Sequence, residues 1–179
     1  MPFDLQPTLK GELVELRPLR PEDFPSLFAV ASDPLIWGQH PEHDRYKEEK
    51  FRVYFQSGLD CGGALLAMDA KTGAVIGSSR YFGYSAEASE IEIGWSFLAR
   101  SHWGGTYNGE MKRLMLEHAF RFVENVVFLI GTDNLRSRKA VEKIGAVYIG
   151  TRIDSTREER VVYRITASSL VRPGPRSVP

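Results

Sequence analysis

Residues 91–110 constrain the fold more than any other part of the chain. A strand-like run over 91–98 is followed by glycines at 104 and 105, and an amphipathic helix begins directly after them. A helix start leaves backbone N–H groups without partners and carries the positive end of the helix dipole. This order therefore predicts an anion site suited to a phosphate-bearing cofactor. The alternative is a plain strand–turn–helix connection.

Composition narrows the function classes. The 179 residues are long enough for one domain with its own core, predicted over 1–170, with 171–179 as a disordered tail. The 23 basic side chains balance 23 acidic ones, so we expect no nucleic-acid or membrane partner. Cys61 stands alone, which excludes an internal disulfide framework and favours a reducing compartment. With no secretory signal evident, we expect a cytoplasmic protein.

The hydrophobic patterns predict a mixed α/β domain. The order is strand, two helices, three strands, helix, strand, helix and two strands. Short turns between the three central strands favour antiparallel neighbours. The predicted strands cover 12–19, 64–70, 74–84, 89–98, 126–130, 146–153 and 160–165, and the predicted helices cover 21–31, 46–59, 107–123 and 135–144.

Two motifs lie in register within this order. The first joins 92–95 to Trp103, Gly104 and Glu110, and the second joins 134–137 to 142–145. Together they resemble the GNAT superfamily of N-acetyltransferases over residues 10–168. The resemblance is closest to the branch that includes the ribosomal-protein alanine acetyltransferases.

The resemblance implies a fold and a cofactor. The fold is a largely antiparallel sheet of six to seven strands, flanked by about four helices, whose parallel fourth and fifth strands splay apart. The cofactor is acetyl-CoA, with its pantetheine arm on the free edge of the fourth strand and its pyrophosphate on the following loop. The implied cofactor residues are Phe97, Leu98, Ala99, Arg100, His102, Trp103, Gly104, Gly105, Thr106, Tyr107, Asn108, Asn134 and Ser137.

Three positions depart from the family pattern. Ser101 stands where the superfamily usually carries Gln or Arg, and Thr106 stands where it carries a second loop glycine. Val141 replaces a tyrosine that in many members protonates the departing CoA thiolate. The tyrosine mechanism is therefore excluded, and Ser137 resembles the serine given this role in the ribosomal-protein branch.

Acetyl transfer from a thioester to an amine needs a base, an oxyanion donor and a proton for the thiolate. Glu92 is the candidate base, acting through a water, and Glu90 on the same strand face is an alternative. The oxyanion donor is a backbone N–H near Phe97 or Leu98. Asn134 and Ser137 have an alternative structural role, because asparagine and serine suit a helix start.

A polar loop over 36–45 is implied to lie above the acceptor entrance. Trp37, His40 and His43 are the candidate substrate contacts, and the histidine spacing predicts no metal site. The predicted function is direct acetyl transfer to a primary amine, of a small molecule or a protein N-terminus, through a ternary complex. The alternative is a non-catalytic acyl-CoA-binding sensor or interaction domain. A homodimer is compatible with this fold.

Overall fold

The computed structural model describes residues 2–170, so the predicted tail lies outside the described residues. Its strands are β1 (Leu9–Lys10), β2 (Val14–Pro18), β3 (Ala64–Asp69), β4 (Val75–Ser85), β5 (Glu90–Leu98), β6 (Asn125–Gly131), β7 (Val147–Ile153) and β8 (Glu159–Thr166). Its α-helices are α1 (Phe24–Ala31), α2 (Glu48–Asp60), α3 (Thr106–Ala119) and α4 (Leu135–Lys143). The predicted order of elements is confirmed.

All the strands form one sheet in the order β1-β2-β3-β4-β5-β6-β8-β7. Neighbours are antiparallel except for β5 and β6, which are parallel as predicted. The sheet has eight strands rather than six or seven, because the two-residue β1 pairs with β2. With β1 counted, the parallel pair is the fifth and sixth strand.

The parallel strands β5 and β6 separate soon after they begin. Only the stretch 90–92 pairs with 125–127, and beyond Glu92 no register pair joins the two strands. On its other edge β5 stays paired with β4 as far as Leu98, through an irregular register near Trp95. Trp95 has a φ of +50°, a left-handed conformation at this bulge. One edge of β5 is thus open along most of its length.

Helices cover both faces of the sheet. Ile91 and Ile93 of β5 belong to the core formed with α3 and α4, which also contains Met111 and Val141. A second core lies beneath α1 and α2 and contains Phe51. Side chains alternate along a strand, so Glu92 points towards the α1–α2 face.

Helix α3 is tied to the N-terminal strands by Glu110. Its carboxylate accepts backbone N–H bonds from Leu13 and Val14, both at 2.7 Å, and from Glu12 at 3.2 Å. This explains why a glutamate follows the glycine turn in the first motif: it holds the start of the helix against β2. Helix α3 ends at Ala119, four residues earlier than predicted. The prediction was too long because the apolar stripe continues beyond the helix into turns packed on the core.

None of the helices within residues 2–170 is long and apolar enough to cross a lipid bilayer.

Candidate active site

A cavity of about 1060 Å³ occupies the gap between the diverging strands β5 and β6. Its wall includes both strands, the start of α3, one side of α4, the loop around 36–45 and the β7–β8 hairpin. The cavity reaches Glu92 and Trp95 on the α1–α2 side, and Lys112 and Val141 on the α3–α4 side. It therefore runs through the sheet at the point where strand pairing stops.

The N-terminus of α3 opens into this cavity. Gly104 and Gly105 have φ values of +111° and +99°, which L side chains rarely adopt, and a Cβ on either would meet no neighbouring atom. No side chain caps the helix, and Gly109 N–H is bonded to Gly105 O at 2.7 Å. Thr106 is the first helical residue, and the left-handed residues are the two glycines before it, so position 106 does not itself require a glycine.

Asp69, at the end of β3, anchors this loop. Its Oδ2 accepts a hydrogen bond from Tyr107 Oη at 3.0 Å and lies 3.3 Å from His102 Nε2. Backbone N–H groups of Thr72 and Lys71 bond Oδ1 and hold the pKa of this carboxyl at about 2. Asp69 is not among the predicted site residues, because an aspartate before a turn is common and its distant partners leave no local pattern.

Trp103 and Arg136 link the loop to α4. Trp103 Nε1 donates to Leu98 O at 2.9 Å, and the Arg136 guanidinium lies 4.3 Å from the centre of the indole ring. Arg136 also donates to Ile36 O at 2.8 Å, and burial lowers its pKa. Arg136 therefore joins three segments of the cavity wall. This role cannot be recognised from the sequence, where Arg136 is simply an arginine at a helix start.

Glu92 is the acidic side chain of the cavity with the most perturbed pKa. Burial, together with the nearby charge of Asp154, raises the pKa of Glu92 to about 7. Within the described chain Glu92 has no ion-pair partner, whereas Glu90 is paired with Arg152 at 2.6 Å. A carboxyl with a pKa near neutrality suits a general base, which favours Glu92 over Glu90.

Lys112, on α3, is a buried cation that is not among the predicted site residues. Its side chain is 5% exposed, and its ammonium donates to Ser96 Oγ and, at 3.3 Å, to Ser79 Oγ. It also lies 5.8 Å from the ring centre of Phe128 on β6. Burial lowers the pKa of Lys112 to about 7. No sequence signal marked it, because a lysine beside the apolar stripe of a helix is normally solvated.

The loop before α2 forms the opposite wall. Trp37 is buried and donates its Nε1–H to Ala31 O at 2.8 Å, and the guanidinium of Arg45 lies 5.2 Å from its ring centre. His40 lines the cavity beside Arg45, and burial with that neighbouring positive charge lowers the pKa of His40 to about 3. His40 is therefore neutral at physiological pH.

Most of the predicted site residues meet in this cavity. Those in its wall are Trp37, His40, Glu92, Phe97, Leu98, His102, Trp103, Gly104, Gly105, Thr106, Asn108, Asn134 and Ser137. Asn134 caps α4 through its side-chain oxygen, which accepts from Ser137 N–H at 3.2 Å. The structural role predicted as the alternative for Asn134, capping the start of a helix, is therefore present in the fold.

Four predicted residues are not part of the wall, and each has a local reason. Ala99 N–H donates to the carbonyl of residue 76 on β4, so it is not a free strand group. Arg100 is paired with Asp33 at 2.5 Å, and the hydroxyl of Tyr107 is engaged by the β3 carboxylate described above. His43 is exposed and its Nδ1 lies 3.3 Å from the carbonyl of residue 40.

No cluster of three or more His, Cys, Asp or Glu side chains within residues 2–170 is arranged to hold a metal ion.

Comparison with known proteins places the chain in a family. Residues 14–147 match the family described as the acetyltransferase (GNAT) domain. No significant match was found among curated proteins.

Solved structures share the fold. An N-acetyltransferase related to GCN5 from Brucella melitensis is 18% identical, with a TM-score of 0.81 over 94% of this chain and 82% of that one. A protein from T. thermophilus that is inferred to be an acetyltransferase is 26% identical, with a TM-score of 0.72 over 94% and 92%. Mycobacterium smegmatis RimJ, solved with CoA-disulfide, is 17% identical, with a TM-score of 0.68 over 93% and 89%. Since the family match spans well over half of the sequence, this chain belongs to the GNAT family of acetyltransferases.

Proposed function

We propose that residues 1–170 form one catalytic domain that transfers the acetyl group of acetyl-CoA directly to a primary amine. The observation that carries this proposal is the coincidence of three features in one cavity. An uncapped helix start faces the cavity, β5 leaves one edge unpaired beyond Glu92, and Glu92 itself has a pKa of about 7. A bound acyl thioester and a base could thus meet inside the gap in the sheet. The lone cysteine favours a cytoplasmic site of action.

The cavity suits the chemistry of CoA. A pyrophosphate requires several converging donors, which the first N–H groups of α3 supply together with the helix dipole. Arg136, Lys139 and Lys143 of α4 face the same cavity and add positive charge for the phosphates. The open edge of β5 leads from the helix start back towards Glu92, and its backbone groups can pair with the amides of the pantetheine arm.

Glu92 is the proposed base, directly or through a water. Its carboxylate accepts a proton from the attacking amine, and its raised pKa matches this task near neutral pH. A backbone N–H on the open edge of β5, between Gly94 and Leu98, is the proposed donor to the oxyanion. The Ser137 hydroxyl lies in the cavity wall, and its role towards the leaving thiolate stays a prediction.

The acceptor is proposed to enter on the α1–α2 side, past Trp37 and His40. This part of the wall contains three ion pairs, Arg45–Glu42, Arg152–Glu90 and Arg160–Asp154, and is polar without a large net charge. Such a wall accepts a primary amine of a peptide N-terminus or of a small molecule. The motif of residues 134–137 supports the ribosomal-protein branch as the finer assignment.

Calorimetric titration with acetyl-CoA, CoA and ATP is the first test of this proposal. We expect micromolar binding of both CoA species and none of ATP. The absence of CoA binding would contradict the proposed function. Binding without turnover on any amine would favour the alternative, an acyl-CoA-binding module.

Turnover is then measured as thiol release with a panel of small amines and of peptides with different N-terminal residues. We expect acetylated product with at least one class of acceptor and its loss in Glu92→Gln. Glu90→Gln is the matched control on the same strand face. Unchanged turnover in a Glu92→Gln, Ser137→Ala double variant would show that the roles are assigned wrongly.

A further inference from the structure

Lys112 bridges the two strands that diverge. From α3 its ammonium reaches Ser96 on β5 and Ser79 on β4, while Phe128 on β6 lies beside it. The two serine hydroxyls are also within 2.8 Å of each other. Burial is the only cause of the lowered pKa of Lys112, so no carboxylate in the described chain compensates its charge. Burying an ammonium without a compensating charge costs free energy. A cavity that contains one is therefore a candidate site for a function that needs positive charge or a transferable proton.

The position of Lys112 relative to the cofactor follows from the proposed function, on which this inference rests. With the phosphates at the start of α3, the arm runs along β5 from Leu98 back towards Gly94. That stretch covers ~13 Å at ~3.3 Å per residue, about the reach of an extended pantetheine arm. Ser96 lies two residues, ~7 Å, from the Gly94 end of this stretch, so an ammonium bonded to Ser96 lies beside the half of the arm that carries the thioester.

We propose that Lys112 is the catalytic acid that protonates the departing thiolate of CoA. The amine nitrogen forms a bond to the acyl carbon and Glu92 takes a proton from that nitrogen. The carbon–sulfur bond then breaks, its electron pair stays on sulfur, and the ammonium of Lys112 gives a proton to that sulfur. The products are the amide and CoA thiol, with Glu92 protonated and Lys112 neutral. Exchange with solvent restores both groups after CoA leaves.

Among the side chains that could protonate the thiolate, acidity favours Lys112. Val141 occupies the place of the family tyrosine, is 5% exposed and carries no proton to give. A serine hydroxyl is a far weaker acid than a thiol, so Ser137 can donate a hydrogen bond to the thiolate but not lastingly transfer its proton. An ammonium with a pKa of about 7 is a stronger acid than an ordinary thiol, whose pKa is about 8.5, so proton transfer from Lys112 to sulfur is favourable.

The two proton-transfer groups lie on opposite faces of the sheet. Glu92 points to the α1–α2 side, between Ile91 and Ile93, which face α3. Lys112 reaches the gap from the α3 side. A base on the acceptor face and an acid on the cofactor face therefore approach the same opening without lying next to each other, so they need not neutralise one another as an ion pair.

The first test measures the ionisation of bound CoA rather than activity. Ultraviolet absorbance of the thiolate is followed in a pH titration of the protein–CoA complex. Lys112, with a pKa of about 7, is neutral in the range where an ordinary thiol ionises, whereas the guanidinium of Lys112→Arg stays charged there. Lys112→Arg is therefore expected to lower the pKa of the bound thiol by about one unit or more, a tenfold change in its ionisation constant, relative to wild type and Lys112→Met.

Measurements of kcat distinguish proton donation by Lys112 from the effect of its positive charge alone. We expect kcat to fall by ~10²-fold or more in Lys112→Met, with the KM for acetyl-CoA changed less than about threefold. Lys112→Arg should also lose most of kcat, because a guanidinium does not release its proton near neutral pH. Arg113→Met, a neighbour on α3 outside the cavity wall, is the matched control and should keep full kcat. Lys112→Met replaces a buried charge with an apolar side chain of similar length, so we expect the variant to fold.

Three results would overturn the inference. One is an undiminished kcat in Lys112→Met, and another is a pKa of the bound CoA thiol that is the same in Lys112→Arg as in Lys112→Met. A third is an acetyl group on Lys112 itself, seen by intact mass and peptide mapping, because this would make the amine a nucleophile instead of an acid. Failure of CoA to bind the wild-type protein would refute the proposed function and with it this role, and the binding measurement identifies that case separately.

Discussion

Replacing Glu92 by glutamine should stabilise the folded protein above neutral pH while it removes the base. Burial raises the pKa of this carboxyl from its ordinary 4.5 to about 7. The folded state therefore favours the protonated carboxyl. Stability from this group is complete below pH 4.5 and is lost as the pH rises through about 7.

The magnitude follows from the same two values. At 1.36 kcal/mol per pKa unit, the rise corresponds to about 3 kcal/mol of lost stability at pH 8 and above. Partial solvation of the cavity reduces this figure, so we expect a gain of about 2 kcal/mol for Glu92→Gln at pH 8. In a domain of this size that gain raises Tm by ~4–8 °C. At pH 5 both side chains are neutral in the folded state and similar in shape, so the gain should fall to less than about 1 kcal/mol there.

The assay compares thermal unfolding of wild type and Glu92→Gln at several pH values between 5 and 8.5. Taking the difference between the two proteins cancels the titration of other buried groups, such as Lys112 and His40. Glu90→Gln is the control, because Glu90 is already paired with Arg152 and its loss offers no gain above pH 7. A difference in Tm that stays constant from pH 5 to pH 8, or an equal gain in Glu90→Gln, would refute the reasoning.

Three further outcomes are expected. For wild type, kcat/KM should fall about tenfold per unit as the pH drops below 7, because Glu92 becomes protonated; a flat profile would exclude it as the base. Gly104→Ala should raise the KM for acetyl-CoA about tenfold through ~1–2 kcal/mol of strain at a φ of +111°, while kcat stays similar; an unchanged KM would show that this loop does not hold the cofactor. Glu110→Gln should lower the free energy of unfolding by about 2 kcal/mol, measured in urea, because charge-assisted bonds to three N–H groups weaken. The exposed Glu117→Gln on the same helix should cost less than about 1 kcal/mol, and an equal loss in both would contradict this.

Local hydrophobic patterns in the sequence predict most of the fold. The alternation and short turns of the central strands, and the long apolar stripe of α3, report burial directly, and each of these elements was predictable from sequence. The two-residue β1 was missed because Leu9 and Lys10 alternate over too short a distance to give a pattern. The stripe of α3 also overstated the length of the helix, since burial continues into turns where helical hydrogen bonding has stopped.

A sequence pattern indicates a candidate site only where its residues belong to a local motif. Residues 103–108 form one continuous loop and helix start, so a pattern could indicate this segment. Asp69 and Arg136 hold that loop from distant segments, through a carboxylate on β3 and a guanidinium over Trp103, and neither has a local signature. The perturbed pKa of Lys112 likewise arises from burial between strands, which only tertiary structure creates.

The distribution of charge in the cavity gives a physical reason to look for chemistry at two particular places. Three of its four acidic side chains are paired with arginines, and Glu92 is the acid in the described wall that has no such partner. Lys112 is its counterpart, a deeply buried cation of the described wall without an acid beside it. Pairing with an opposite charge would favour the charged form of either group. Left unpaired and buried, both titrate near pH 7, where a group can accept or release a proton at little cost.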